Sequence, residues 1–132
     1  RISYHFFYLA GISGAGRGIE GAERSADIFN RTHPRIIGSS MLTIFPESGL
    51  YQEIQQGNWR EESELEKLCE LRALIQNLTI PTRFVTDGAS NLIQVRGELP
   101  RDQEKLSQYL TELIETADEE ALRTYRKNLQ HL

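Results

Sequence analysis

Four glycines in eight residues, Gly11-Ile-Ser-Gly-Ala-Gly-Arg-Gly18, directly follow the apolar run Ile2-Ser-Tyr-His-Phe-Phe-Tyr-Leu-Ala10. A backbone without Cβ atoms at the end of a strand can approach a flat ring or a phosphate closely, and it can adopt positive φ. Gly16-Arg-Gly-Ile-Glu-Gly21 also satisfies the G-x-G-x-x-G pattern of dinucleotide sites. In that motif the first glycine turns the chain immediately after the strand, whereas Gly16 lies several residues beyond Ala10. The first acid near the end of the next strand, Glu47, also comes later than the ribose-binding position. A nicotinamide dinucleotide-binding domain therefore ranks third among the readings of this chain. A P-loop is excluded, because no Gly-Lys-Ser/Thr occurs.

Other reactive side chains are scattered. His5, His33 and His131 lack the spacing of a metal-ligand motif such as H-E-x-x-H, so no metal site is expected. His5 reads as a hydrogen-bonded core histidine of the first strand. Cys69, the one cysteine, reads as a buried, inert thiol within a long helix. Glu47 follows the strand that ends at Phe45, where an α/β barrel places functional groups, and is read either as a substrate-binding carboxylate or as a surface turn residue. Ser90 and Asn91 sit in a polar loop and either brace backbone groups or face a ligand cavity.

The elements that must position these residues follow from apolar spacing. Residues 2–10 read as a strand covered on both faces, with Tyr4, Phe6, Phe7 and Tyr8 mostly in the core. Apolar positions 19, 22, 26 and 29 predict a helix over 19–31, closed by Pro34. Residues 36–45 form a second strand, which also places Met41 and Ile44 in the core and completes a βαβ unit with parallel pairing and a right-handed crossover. Ser48 caps a short helix that stops at Gly57. Glu61 to Leu78 carries Leu65, Leu68, Leu71, Leu74, Ile75 and Leu78 on one stripe with charges opposite, the pattern of a helix docked on a sheet. Thr82 to Thr86 is a short strand, and a loop runs from Asp87 through Gly97. Pro100 opens a helix carrying Leu106, Tyr109, Leu110, Leu113 and Ile114, and Thr116-Ala-Asp-Glu119 reads as a capping box for a last helix to Leu129.

The whole chain has 132 residues, 39% of them apolar and 26% charged, the balance of one globular domain with a single core. A net charge of −4 offers no broad cationic field for nucleic acid, and Arg123, Arg126 and Lys127 read as a solvated helix face. The apolar runs are too short to span a membrane, and no signal peptide is visible. A single cysteine forms no intrachain disulfide, in keeping with a cytoplasmic location.

Two segments carry a family resemblance: Leu42-Thr-Ile-Phe-Pro-Glu-Ser-Gly-Leu-Tyr51 and Ser90-Asn-Leu-Ile-Gln-Val-Arg-Gly-Glu-Leu-Pro-Arg-Asp102. They resemble the C-terminal half of radical SAM enzymes, in the subgroup similar to oxygen-independent coproporphyrinogen oxidase. There a barrel strand ends in a Pro-rich turn, and a Ser-Asn pair precedes Gly-x-Leu-Pro-x-Asp. Leu9-Ala-Gly-Ile-Ser-Gly14 is similar to the Ile-x-Gly-x-Pro-Gly strand that passes the adenine of the cofactor, with Ser13 in place of proline and no acid after Gly14. The Pro-Gly-Thr-Pro-Leu of the subgroup reads Pro46-Glu-Ser-Gly-Leu50 here.

The resemblance implies an α/β fold that is the C-terminal part of a partial (β/α) barrel of parallel strands over residues 1–99, truncated at its N-terminus, with a helical C-terminal extension over 100–132. It implies a parent enzyme in which a 4Fe-4S cluster and S-adenosylmethionine yield a 5′-deoxyadenosyl radical that abstracts hydrogen from a small-molecule substrate. Gly11, Ile12, Ser13 and Gly14 would form part of the cofactor wall, and Glu47, Ser90 and Asn91 part of the barrel mouth. The C-x3-C-x2-C triad that binds the cluster has no counterpart here, so its place is the missing N-terminal half. Alone, the fragment is expected to bind neither cofactor, to be catalytically silent, and to self-associate through exposed sheet edge and apolar surface. The second reading is a stand-alone α/β binding or interaction module without catalysis.

Overall fold

The computed structural model describes residues 2–86, 88 and 91–129. The chain runs β1 (His5–Ala10), α1 (Gly18–Thr32), β2 (Ile36–Met41), α2 (Gly49–Gln55), α3 (Glu64–Asn77), β3 (Thr82–Val85), β4 (Arg96–Leu99), α4 (Gln103–Thr116) and α5 (Glu119–Leu129). The fold is α/β, with a four-stranded sheet in the order β1-β2-β3-β4. β1, β2 and β3 are mutually parallel, and β4 returns antiparallel to β3.

The expected elements form with shifted ends. Ser48 caps α2 by accepting from the Tyr51 amide at 3.1 Å, and Gly57 with φ 77° ends that segment. The long central helix starts later than its apolar pattern suggests, at a capping box in which Ser63 and Glu66 satisfy each other's amides. β2 stops at Met41 rather than Phe45, which leaves Ile44 half-buried and Glu47 in an exposed loop. β4 forms inside what reads as loop, and Pro100, joined to Leu99 by a cis bond, lies in the turn before α4 instead of its first turn. Thr116 does not cap α5. Its hydroxyl donates back to Glu112 within α4, and Asp118 accepts from the Ala121 amide instead. Glu119 reaches across to accept from the Glu64 and Leu65 amides at 2.9 and 3.0 Å, capping α3 from another helix.

Among the described residues, the hydrophobic core lies on one side of the sheet. Tyr8, Ala10, Ile37, Met41, Phe84 and Leu99 pack with α3 residues Leu68, Leu71, Leu74 and Ile75, with Ala22, Ala26 and Phe29 of α1, and with Leu106 and Leu110 of α4. α3 is the central helix, touching α1, α4, α5 and β1. The opposite face carries the cross-strand row Phe7, Gly38, Val85, Arg96 and the row His5, Ile36, Arg83, Glu98. Phe7 is 84% exposed, His5 and Leu9 are exposed, and Arg83 pairs with Glu98 at 2.5 Å across the strands.

The expectation that both faces of β1 are covered is therefore corrected: Phe7 and His5 are surface residues in this chain and Tyr4 is 47% exposed, whereas Tyr8 is core. Successive strands alternate their side chains between faces, and among the described residues helices cover only one of them. Among the same residues, no helix is long and apolar enough to cross a membrane.

Candidate functional site

The glycine-rich loop leaves β1 at its C-terminal end in two successive turns, with the Gly14 amide donating to the Gly11 carbonyl and the Arg17 amide to the Gly14 carbonyl. Gly11, Gly14 and Gly16 have φ of 99°, 88° and 79°, which L side chains rarely adopt. The loop rests on the segment before α3. Ala15 donates to the Arg60 carbonyl at 2.8 Å, and the Trp59 indole lies against Gly14, 2.8 Å from where a Cβ would stand. Ile12 is 51% exposed and Ser13 is half-buried, so the loop presents an apolar side chain outward.

Packing within the chain already leaves little room for a side chain at Gly11. A Cβ there would stand 3.0 Å from Lys67 Cε and 3.4 Å from Leu42 Cβ. Gly11→Ala combines that contact with an unfavourable φ and is expected to cost about 1–3 kcal/mol in a thermal or urea melt.

Beneath the loop lies a buried polar cluster that sequence reasoning missed. Tyr8 donates its hydroxyl to Glu70 Oε2, and the Gly11 amide donates to Glu70 Oε1 at 3.2 Å. Lys67, with no exposed surface, donates to Glu64 Oε1 at 3.1 Å and to Glu61 Oε2 at 3.2 Å. Arg126 reaches in from α5, forming an ion pair with Glu64 at 2.6 Å and donating to the Leu42 carbonyl at 2.9 Å. Glu62 is 3% exposed. Its burial, then its hydrogen bond to Glu70 and the charge there, push its carboxyl up to about 9. Burial, then the hydrogen bond to Glu70, hold the Tyr8 phenol well above its ordinary range. The cluster can thus keep a proton on Glu62 at neutral pH next to a hydrogen-bonded chain through Glu70 to Tyr8.

Two sequence readings are corrected here. The charges of α3 do not all face solvent: Glu64, Lys67 and Glu70 share the buried stripe with Leu68, Leu71 and Leu74. Arg126 belongs to the interior instead of to a solvated basic face. The signal was present in the spacing, since 64, 67, 71, 74 and 78 follow the 3,4 repeat of a single helix face.

Asn91 is buried at 3% exposure and braces the strand ends. Its amide donates to the Ser39 and Thr86 carbonyls, each at 3.0 Å, and to the Gly88 carbonyl at 3.3 Å, tying the end of β2 to the loop after β3. Ser90 and His131 lie outside the described residues. Glu47 is exposed, and among the described residues no hydrogen bond or ion pair joins it to Asn91 or to the glycine loop. The fold therefore places Gly11–Gly14 after β1 and Asn91 after β3, at the C-terminal ends of the two parallel strands that flank β2. Cys69 is half-buried, beside a small cleft of about 170 Å³ lined by Gly16, Gly18, Ile19, Glu62 and Glu66.

An iron-sulfur cluster needs three or four thiolates. Cys69 is the one cysteine of the chain, and among the described residues no group of three His, Cys, Asp or Glu side chains converges as a metal site. The donor set present does not fit such a cluster. The parallel strands also run in consecutive order, without the reversal at which open α/β sheets bind dinucleotides. Compared with protein-family models, with curated proteins and with solved structures, the chain finds no match.

Proposed function

We propose that this chain is one wall of a radical SAM-type partial barrel, the C-terminal part of a cytoplasmic enzyme acting on a small molecule. The observation that carries the reading is the one-sided sheet. Parallel sheets occur with both faces covered, yet here β1, β2 and β3 bury one face under α1, α3 and α4 and leave Phe7 and Leu9 exposed on the other. In a barrel the helices lie outside and the other face turns inward. β1 is also an edge strand, so a preceding βα unit can pair along it.

In this arrangement the Gly11–Gly14 loop stands at the C-terminal mouth of the barrel, where it forms part of the S-adenosylmethionine wall with Ile12 as its outward apolar contact. Asn91 braces the mouth, and Glu47 and Ser90 belong to its rim. The thiolates for a 4Fe-4S cluster are supplied by a preceding half of the barrel, and no step of the reaction is assigned to residues of this chain.

The experiment is anaerobic reconstitution, with iron and sulfide, of the longest polypeptide encoded by the reading frame that contains this chain. An assay for 5′-deoxyadenosine follows in the presence of S-adenosylmethionine and a reductant. The expected result is cluster binding and formation of 5′-deoxyadenosine. A folded protein that binds no cluster returns the chain to the alternative, a stand-alone α/β binding or interaction module. The antiparallel β4, which ends the parallel run, is the observation that favours that alternative.

A further inference from the structure

We propose that Glu62 and Glu70 form a proton-sharing latch that holds the Gly11–Gly14 loop against α3 and releases it when the shared proton is lost. The inference rests on the cluster beneath the loop and stands whether or not the chain belongs to a radical enzyme.

The fold brings the two carboxyls together in a buried site. Glu62 Oε1 and Glu70 Oε1 both lie against Gly18, where a Cβ would collide with the first and stand 2.5 Å from the second. Glu70 already accepts from Tyr8 and from the Gly11 amide, so its oxygens face donors on β1 and on the loop. Glu62 Oε2 is buried and has no hydrogen-bond partner among the described residues. A buried carboxylate in that position would leave a charged oxygen unsatisfied next to a second acid, whereas a protonated Glu62 donates to Glu70 and carries no charge. Glu70 then links the latch to the loop through the Gly11 amide.

The surrounding groups are mixed in sign. From α3, Glu66 adds negative charge and Lys67 positive charge beside Glu62. From β1 comes the Tyr8 phenol, and α1 faces the pair with Gly18 and the apolar Ile19. From α5, Arg123, Arg126 and Lys127 line a cleft of about 300 Å³ together with Glu61, Glu62 and Glu64. Arg126 is engaged by Glu64 and Leu42, and Lys67 by Glu61 and Glu64. The proton on Glu62 is therefore what relieves the repulsion from Glu70.

The sign of the pH effect follows. The Glu62 carboxyl lies at about 9 in the folded chain against an ordinary value of 4.5. Between those values the folded state binds one more proton than the unfolded state. The folding constant therefore falls by up to about tenfold per pH unit through that window and levels off above it. Local release of the loop comes at the upper end, near pH 9, when the folded chain itself loses the proton.

Trp59 is the one tryptophan of the chain and lies against Gly14, so its fluorescence reports the loop. The test is a fluorescence titration of the whole chain from roughly pH 7 to 10, in the wild type and in Glu62→Gln, whose amide keeps a donor toward Glu70 without a titrating proton. A transition near pH 9 in the wild type that is absent from the variant is expected. No transition in folded wild type, or one that persists unchanged in Glu62→Gln, overturns the latch. If the variant does not fold, NMR of isotope-labelled glutamate carboxyls in the wild type decides. One carboxyl titrating near pH 9 is expected, and titration of every glutamate below about pH 6 overturns the proposal.

Discussion

Lys67→Ala is expected to lower folding stability by about 3–5 kcal/mol, the combined cost of breaking a buried ion pair and of truncating a fully buried side chain. Lys67 has no exposed surface, bridges Glu61 and Glu64, and lays its Cε against Gly11. Without it, Glu64 keeps its ion pair with Arg126, and Glu62 loses the favourable charge of Lys67. Lys67→Met separates charge from packing, because it keeps most of the aliphatic volume. It should recover the cavity part of the loss but not the electrostatic part. Adding Glu64→Gln to Lys67→Met should lower stability further, because Glu64 still pairs with buried Arg126 at 2.6 Å and the amide ends that ion pair. Urea-induced unfolding of the three variants reads these differences. A loss below about 1 kcal/mol for Lys67→Ala would mean that the carboxylates are hydrated, as exposed pairs are.

The second large effect is expected at Asn91. Asn91→Asp replaces an amide that donates to the Ser39, Thr86 and Gly88 carbonyls with a group whose ionised form only accepts. The loss should be on the order of 3 kcal/mol at neutral pH, made up of stranded carbonyls and a buried charge facing them. The introduced carboxyl is pushed up by burial and by those carbonyl oxygens, so part of the stability should return as pH falls and it becomes able to donate. Asn91→Ala carries the first penalty without the second and should be milder and independent of pH. Thermal melts at pH 5 and pH 7 distinguish the two, conditions on either side of the range into which a buried aspartate shifts. Equal losses for both substitutions at both pH values would show that the site is open to water.

Local chemistry made the main elements legible. The 3,4 spacing of Leu68, Leu71, Leu74 and Ile75 specifies α3 without help from the rest of the chain, and Ser48 and Gly57 mark the limits of α2 through their own hydrogen bonding and backbone freedom. The order strand, glycine loop, helix, strand was readable for the same reason, and it carried the parallel pairing of β1 with β2. β4 was not legible. Its four residues, Arg96-Gly-Glu-Leu99, have neither apolar alternation nor β-branched side chains, and they become a strand because β3 offers an unpaired edge beside them.

What the sequence determined by itself is therefore the set of elements whose stability lies in their own residues: the amphipathic helices, most of their caps, the glycine loop and the βαβ order. The tertiary structure alone decided which face of β1 is buried, because that depends on the side of the sheet taken by α1 and α3. It alone decided that Glu64, Glu70 and Arg126 are interior, because Arg126 reaches Glu64 from α5, and Tyr8 and the Gly11 amide reach Glu70 from the other end of the chain. The glycine loop shows the division at a single residue. Positive φ at Gly11 is a local property that the residue type announces, whereas Lys67 packing against the place of its Cβ is a contact across 56 positions of sequence that only folding brings about.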